Sequence, residues 1–405
     1  MKDSHFNQLL PACSLTVFSP SEATRASFEA LAADWRCANL TLEARKGGIG
    51  EARAYYETNP SPDLLIVETA ETGTEVLVKG LEDLAANCAA NTAAILIGPE
   101  NDVDLYRRLT RMGVLDYLVA PVTTERLLDV VASSVLDKFG IADNSMTVVL
   151  GSRGGAGTTA VSSLLAWGLA EQAGRKTALC DLLPGRSPLP VLWGVECPGG
   201  LADLAKAFKA NDISSLYRLA PKALDQLHLF TPATDTPFDF ALGHDEQAAL
   251  LQGLRQHFPC LVYDTAGFTP KMLKTLIPTA PHVLLVTPPT VSGLRAAKKL
   301  LSQIEPIRGG DASAIKIVLN RRGELGSDEL SKKDVQAVLG QAPALEIEYD
   351  KSLAGKLENG TWREYGPSHN IARQLLQLVD VEAGAAKAQN TAKGNKFLRM
   401  IGLET

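Results

Sequence analysis

The sequence predicts an α/β protein built as two doubly wound domains, the second with a mostly parallel sheet. Three observations carry this. Short apolar runs, such as Leu64-Leu65-Ile66-Val67 and Cys260-Leu261-Val262-Tyr263, alternate with longer helix-like stretches, the pattern of strands and their covering helices. Several runs are apolar without interruption and stop at a polar residue, as strands of a parallel sheet covered on both faces do. The run Val148-Val149-Leu150 leads into Gly151-Ser152-Arg153-Gly154-Gly155-Ala156-Gly157 and then Thr158-Thr159-Ala160-Val161. A strand, a glycine loop and a helix in that order make an anion cradle.

Length and composition set the bounds. The chain has 405 residues, 45% of them hydrophobic, enough for two domains with sizeable cores. The net charge of −6 gives no basic field for nucleic acid. The six cysteines (Cys13, Cys37, Cys88, Cys180, Cys197 and Cys260) form no C-x-x-C pair, which argues against a disulfide framework or a zinc site and fits a reducing compartment. Met1-Lys2-Asp3-Ser4-His5 leads into no signal-peptide core, and no run reaches the ~18 apolar residues of a membrane span. The expectation is a cytoplasmic protein.

The first domain is expected over 13–138, after an N-terminal tail at 1–12. Ser14-Leu15-Thr16-Val17-Phe18 reads as a strand and Glu22 to Ala33 as a helix. Leu64-Leu65-Ile66-Val67 and Ala94-Ile95-Leu96-Ile97 are strands, the second closed by Gly98-Pro99. Asp104 to Met112 reads as a helix, Asp116-Tyr117-Leu118-Val119 as a strand, and Thr124 to Leu136 as a helix.

This pattern resembles a response-regulator receiver. The likeness rests on Pro62-Asp63-Leu64-Leu65-Ile66-Val67-Glu68 and on Gly113-Val114-Leu115-Asp116-Tyr117-Leu118-Val119-Ala120-Pro121. The resemblance places Glu68 at the phosphoacceptor aspartate and Ser19-Pro20 at the acidic pair. It places Gly98 at the hydroxyl position and Ala120 at the lysine. Without clustered carboxylates no Mg²⁺ is held, and the charge of a transferring phosphoryl group is not neutralised. The domain is expected to be an inert module for protein contacts, with Glu68 a degenerate phosphoacceptor.

A polar linker is expected at 139–145, and a second domain over 146–382. Its helix opens at Thr158, whose N-terminal end adds positive dipole to the glycine loop. Glycines let backbone N–H groups approach an anion closely. The motif G-x-x-x-x-G-K-[ST] wants lysine before the final hydroxyl, and Thr158 stands there. Strands are expected at Lys176 to Asp181, Gln226 to Phe230, Cys260 to Asp264, His282 to Thr287 and Ile315 to Asn320. Asp181, Asp264 and Asn320 thus sit at strand carboxyl ends, where such sheets bind ligands. A phosphate-bound Mg²⁺ wants carboxylates near the β/γ oxygens, partly through water. Asp181 and Asp264 can serve, Thr159 can offer its hydroxyl, and Asn320 can offer its amide to an adenine edge.

The order and wording resemble the MinD/ParA family of deviant Walker ATPases, whose loop reads K-G-G-x-G-K-[ST]. The resemblance places Arg153 at the signature lysine, Gly154-Gly155-Ala156-Gly157 in the loop, Thr158 at the P-loop lysine and Thr159 at the final hydroxyl. Asp181 matches the first acid of the D-x-D strand end and a candidate catalytic group, while Leu183 stands where the second acid would be. Asp264-Thr265-Ala266-Gly267 matches the Walker B and switch region. A degenerate receiver followed by such a domain resembles the TadZ/CpaE type of pilus assembly protein.

That resemblance implies a polar localisation factor for a Flp/Tad pilus system, binding ATP and Mg²⁺. It also implies a homodimer that meets the pilus secretion ATPase and other assembly components. With Thr158 and Leu183 at those positions, hydrolysis is expected to be slow or absent. The other function class is an active ATPase that positions cargo or division factors. The last stretch, 383–405, reads as a small, polar tether ending in Lys396-Phe397-Leu398-Arg399-Met400-Ile401-Gly402-Leu403. At ~100° per residue Phe397, Leu398, Met400 and Ile401 share one arc. This basic amphipathic tail resembles the membrane-targeting tail of MinD and implies a peripheral membrane contact.

Overall fold

A computed structural model describes residues 8–71, 74–139, 145–181, 187–210, 212–231, 244–267, 270–310 and 314–381. Leu183, the tether and tail at 383–405, and most of the expected linker lie outside them. The chain divides into two compact units, 1–142 and 143–405.

The first unit holds five strands: β1 (Cys13–Ser19), β2 (Leu40–Lys46), β3 (Leu64–Glu68), β4 (Ala93–Gly98) and β5 (Asp116–Val119). All pair in parallel, in the order β2-β1-β3-β4-β5. Side chains alternate faces along a strand, so each strand feeds two cores. Leu64 and Ile66 pack into the cluster with Phe28 and Leu127. Leu65 and Val67 pack into the one with Leu105 and Leu109. The first helix is α-helical only over Glu22–Glu29, then tightens into a 3₁₀ turn at Ala30–Ala33. The helix Val103–Arg111 is started by Asp102, whose carboxylate accepts the Asp104 amide at 2.7 Å and supplies a partner for a free first-turn donor.

The second unit holds β6 (Ser145–Gly151), β7 (Thr177–Asp181), β8 (Lys222–Leu224), β9 (Leu227–Phe230), β10 (Cys260–Asp264), β11 (His282–Thr287), β12 (Ile315–Arg322) and β13 (Leu345–Glu348). They form one sheet in the order β13-β12-β11-β6-β10-β7-β9-β8, parallel except for the short edge strand β8. Met146, Val148 and Leu150 feed one core and Val149 the other. Burial on both faces is why these strands read as unbroken apolar runs. The second core holds a cluster of three indoles. Trp362 is fully buried, edge-on to Trp193 (5.1 Å between centroids) and Trp167 (5.8 Å). Its Nε1 donates to Leu192 O at 3.2 Å.

Candidate functional site

β6 lies between β11 and β10, and β10 lies between β6 and β7, so the carboxyl ends of these strands set their termini side by side. The loop after β6 begins at Ser152, pinned to β11 twice. Its N–H donates to Val286 O (2.9 Å) and its hydroxyl to Thr287 Oγ1 (3.0 Å). Gly155 and Gly157 then take φ of +76° and +92°, the left-handed region that side-chain-bearing residues avoid. Gly157 caps the helix Thr158–Trp167, and no side chain occupies the cap. The first-turn N–H groups of that helix are therefore not consumed by a capping side chain.

Asp181 and Asp264 are in register on neighbouring strands and fully buried. Burial pushes the Asp264 carboxyl up from its ordinary range, while the nearby Thr159 hydroxyl and the Ala266 amide, which donates to Oδ1 at 3.4 Å, pull it down. Its Oδ2 has no hydrogen-bond partner among the described residues, although a buried lone carboxylate oxygen is costly to leave unsatisfied. A hydroxyl beside two in-register carboxylates is an all-oxygen donor set. Such a set fits Mg²⁺, which takes one or two carboxylates plus phosphate oxygens.

The two threonines have separate places. Thr159 faces Asp264, as just described. Thr158 is buried and its hydroxyl folds back onto the strand end: a Cβ on Gly151 would stand 2.1 Å from Thr158 Oγ1. Thr158 therefore fills the space under the loop, and its hydroxyl is not a replacement for a lysine amine. Arg153 is exposed at the rim, and its guanidinium donates to Gly154 O at 3.2 Å. Gly154 has open space where a Cβ would be, and Ala156 is buried. Asn320, at the end of β12, reaches the loop and donates from Nδ2 to Ala156 O at 2.9 Å.

Beside the loop opens a cleft of about 530 Å³, in the range of small-molecule sites. Gly157, Thr159 and Asn320 line it. Leu164 and Leu192 add apolar lining, with Leu192 O accepting from the Trp362 indole, and Tyr349 and Asp350 also line the cleft. Sequence reasoning missed Tyr349 and Asp350, and it also missed Arg321, which lines the same cleft.

In the first unit, Glu68 ends β3 and is buried. It accepts a hydrogen bond from the Ser19 hydroxyl, and Ser19 O accepts from Arg25 Nη1 at 2.6 Å. A Cβ on Gly98 would stand 2.4 Å from Tyr117 OH, so this ring closes off the fourth strand's end. Glu68 is thus tied up by a neutral hydroxyl. Incubation with a small phosphodonor and Mg²⁺ is expected to leave the intact mass unchanged. A stable gain of about 80 Da, one phosphoryl group, on the first unit would contradict this.

No protein-family model matches the chain. A crystal structure of a ParA family ATPase from Chlorobium tepidum TLS is 17% identical, covers 58% of this chain and 98% of its own, and has a TM-score of 0.50. At that identity the likeness is one of fold: the second unit has the MinD/ParA P-loop fold. The septum site-determining protein MinD of Bacillus subtilis (strain 168) is 25% identical over 158 residues, 39% of this chain. The chain spans 58% of that relative's length. The crystal structure of a pilus assembly protein CpaE from Caulobacter crescentus CB15 is 34% identical. That likeness covers 32% of this chain and 97% of the CpaE chain, with a TM-score of 0.30. On that identity and coverage the chain belongs to the CpaE family of pilus assembly proteins. No helix among the described residues is long and apolar enough to cross a membrane.

Proposed function

We propose that this protein is an ATP-binding assembly factor of a Flp/Tad-type pilus system, a nucleotide-stabilised homodimer that hydrolyses ATP slowly or not at all. The observation that carries the nucleotide reading is the cradle itself. Left-handed Gly155 and Gly157, an uncapped helix start, the Asp181/Asp264 pair and a cleft of nucleotide size all meet at one sheet end. Phosphates would lie against the loop amides and the base in the cleft by Asn320. Thr159, Asp264 and Asp181 would hold Mg²⁺, partly through water. When bound, that ion neutralises phosphate charge.

Slow turnover follows from which groups this chain supplies. A charge-assisted contact from a P-loop lysine is worth roughly 1.5–3 kcal/mol, and the Thr158 hydroxyl packs on Gly151 instead. Phosphoryl transfer asks a protein chiefly for positioning and charge. Arg153, exposed at the rim, would meet the nucleotide of the second protomer. The family and the missing lysine support a scaffold at a cell pole that meets the pilus secretion ATPase and other assembly components. The 383–405 tail would add a peripheral membrane contact.

Titration with Mg·mant-ADP, read by energy transfer from the Trp193/Trp362 pair behind Leu192, is expected to saturate. Steady-state phosphate release is expected at or below ~10⁻³ s⁻¹, the scale of a P-loop protein without its transition-state cation. No saturable binding would overturn the reading. Fast, partner-stimulated release would favour the ATPase that positions cargo or division factors, a reading to which the Asp181/Asp264 pair lends support.

A further inference from the structure

Arg321 follows Asn320 at the end of β12 and carries an unusual backbone. Among the described residues only Arg321 and Asp380 are non-glycine residues with positive φ, +65° at Arg321. The turn around it is held from several sides. Glu329 accepts from the Gly323 amide (2.9 Å) and the Leu325 amide (3.2 Å), and Tyr349 N donates to Arg322 O (2.7 Å). The pairing of β12 with β13 shifts register between Leu319 and Arg322. A strained residue persists where its surroundings over-determine it, and such residues cluster at functional sites.

From that backbone the side chain reaches the phosphate loop. Arg321 Nε donates to Glu324 Oε2 at 2.7 Å, Nη2 donates to Glu324 Oε1, and Nη1 donates to Gly155 O at 3.0 Å. Its guanidinium carbon lies 5.6 Å from the Tyr349 ring centroid. A planar fork can meet one carboxylate and one carbonyl together, as an ammonium cannot. With Asn320 on Ala156 O, two successive loop carbonyls are held from β12. A peptide N–H points opposite its own C=O, so fixing the Ala156 carbonyl turns the Gly157 N–H away from Asn320. The Ala156 N–H is used within the loop, on Arg153 O at 3.2 Å.

We propose that Arg321, set by Glu324, is a positioning residue that pre-forms the phosphate loop through Gly155 and ties it to the Tyr349 side of the cleft. The inference rests on the nucleotide reading and adds a residue that takes over loop ordering where the loop has no lysine.

The test uses the full chain. Asn tolerates the left-handed region, so Arg321→Asn keeps the turn and removes only the guanidinium. The Kd for Mg·mant-ADP is expected to rise about tenfold, the loss of a charge-assisted contact, with the melting temperature unchanged. Hydrogen exchange of the 151–160 segment without nucleotide is expected to quicken, while β11 and β12 stay protected. Glu324→Gln should shift both readings the same way by less, and the double variant should be no worse than Arg321→Asn, since the two act as one unit. If Arg321→Asn does not fold, Glu324→Gln carries the same comparison. Unchanged affinity and exchange in a wild type that binds would overturn the positioning role and leave the nucleotide reading standing. Losses that simply add would also overturn it. If the wild type does not bind Mg·mant-ADP, the nucleotide reading fails, and loop exchange alone still decides whether Arg321 orders the loop.

Discussion

Gly157→Ala is expected to cut nucleotide affinity by about two orders of magnitude while Gly154→Ala, three residues away, leaves it within about twofold. At Gly157 two costs coincide. Its φ is +92°, and a Cβ would stand 2.1 Å from Asn320 Nδ2. A left-handed residue with a Cβ costs roughly 1–2 kcal/mol, and losing the Asn320 hydrogen bond to Ala156 adds about 0.5–1.5 kcal/mol. Together these correspond to about 1.5–3.5 kcal/mol, a factor of roughly 10–300.

Residues 154–156 before it are two glycines and an alanine, so this part of the loop can relax in the free protein and shed much of the strain. Nucleotide binding needs the unrelaxed loop, so the cost moves from stability into affinity. At Gly154 a Cβ meets nothing within 4 Å and φ is not positive. Titration of both variants with Mg·mant-ADP, beside thermal unfolding, separates the cases. Equal affinity for Gly157→Ala and wild type, or equal losses at both positions, would remove the glycine loop from the binding site.

How much of this was legible in the sequence depended on burial and on chain position. β3, β10 and β11 are buried on almost every residue, and they read as strands at once. β2 was not read: it is an edge strand, and Leu-Thr-Leu-Glu-Ala, the first five of its seven residues, alternates half-buried and exposed positions. A period of two over one short polar stretch is a weak signal. β13 was missed for the same reason, being four residues long on the opposite edge of its sheet. Its loss hid Tyr349 and Asp350, which line the cleft. The phosphate-loop half was legible because glycine spacing and strand-ending carboxylates have few other uses in that order.

Thr158 and Arg321 show the other limit. The sequence says that Thr158 is not a lysine, but only the packing shows its hydroxyl against Gly151. Arg321 reads as one more charge after a strand. Its role comes from a left-handed backbone and from partners at Glu324 and Gly155, the latter 166 positions away in sequence.

Arg153→Ala is expected to abolish any gain in dimer on adding Mg·ATP while leaving the free protein's melting temperature unchanged. The side chain is exposed, and its hydrogen bond to the neighbouring Gly154 carbonyl is long at 3.2 Å. Removing an exposed side chain of this kind rarely moves stability by more than about 0.5 kcal/mol. Its value lies in reach. Arg153 precedes the two glycines at the rim, and Thr158 supplies no charge to the β/γ-phosphates from within. A guanidinium stays charged at any working pH and meets phosphate oxygens in pairs. Placed on the partner's nucleotide, it would be a central contact of a small interface, where truncating an arginine costs about 2–4 kcal/mol, or roughly 30–1,000-fold in dimer affinity. Arg153→Lys keeps the charge without the fork and should fall between. Sedimentation equilibrium with and without Mg·ATP measures all three proteins. If wild type and Arg153→Ala dimerise equally and neither responds to nucleotide, Arg153 acts within its own protomer, and self-association has to be sought on another surface.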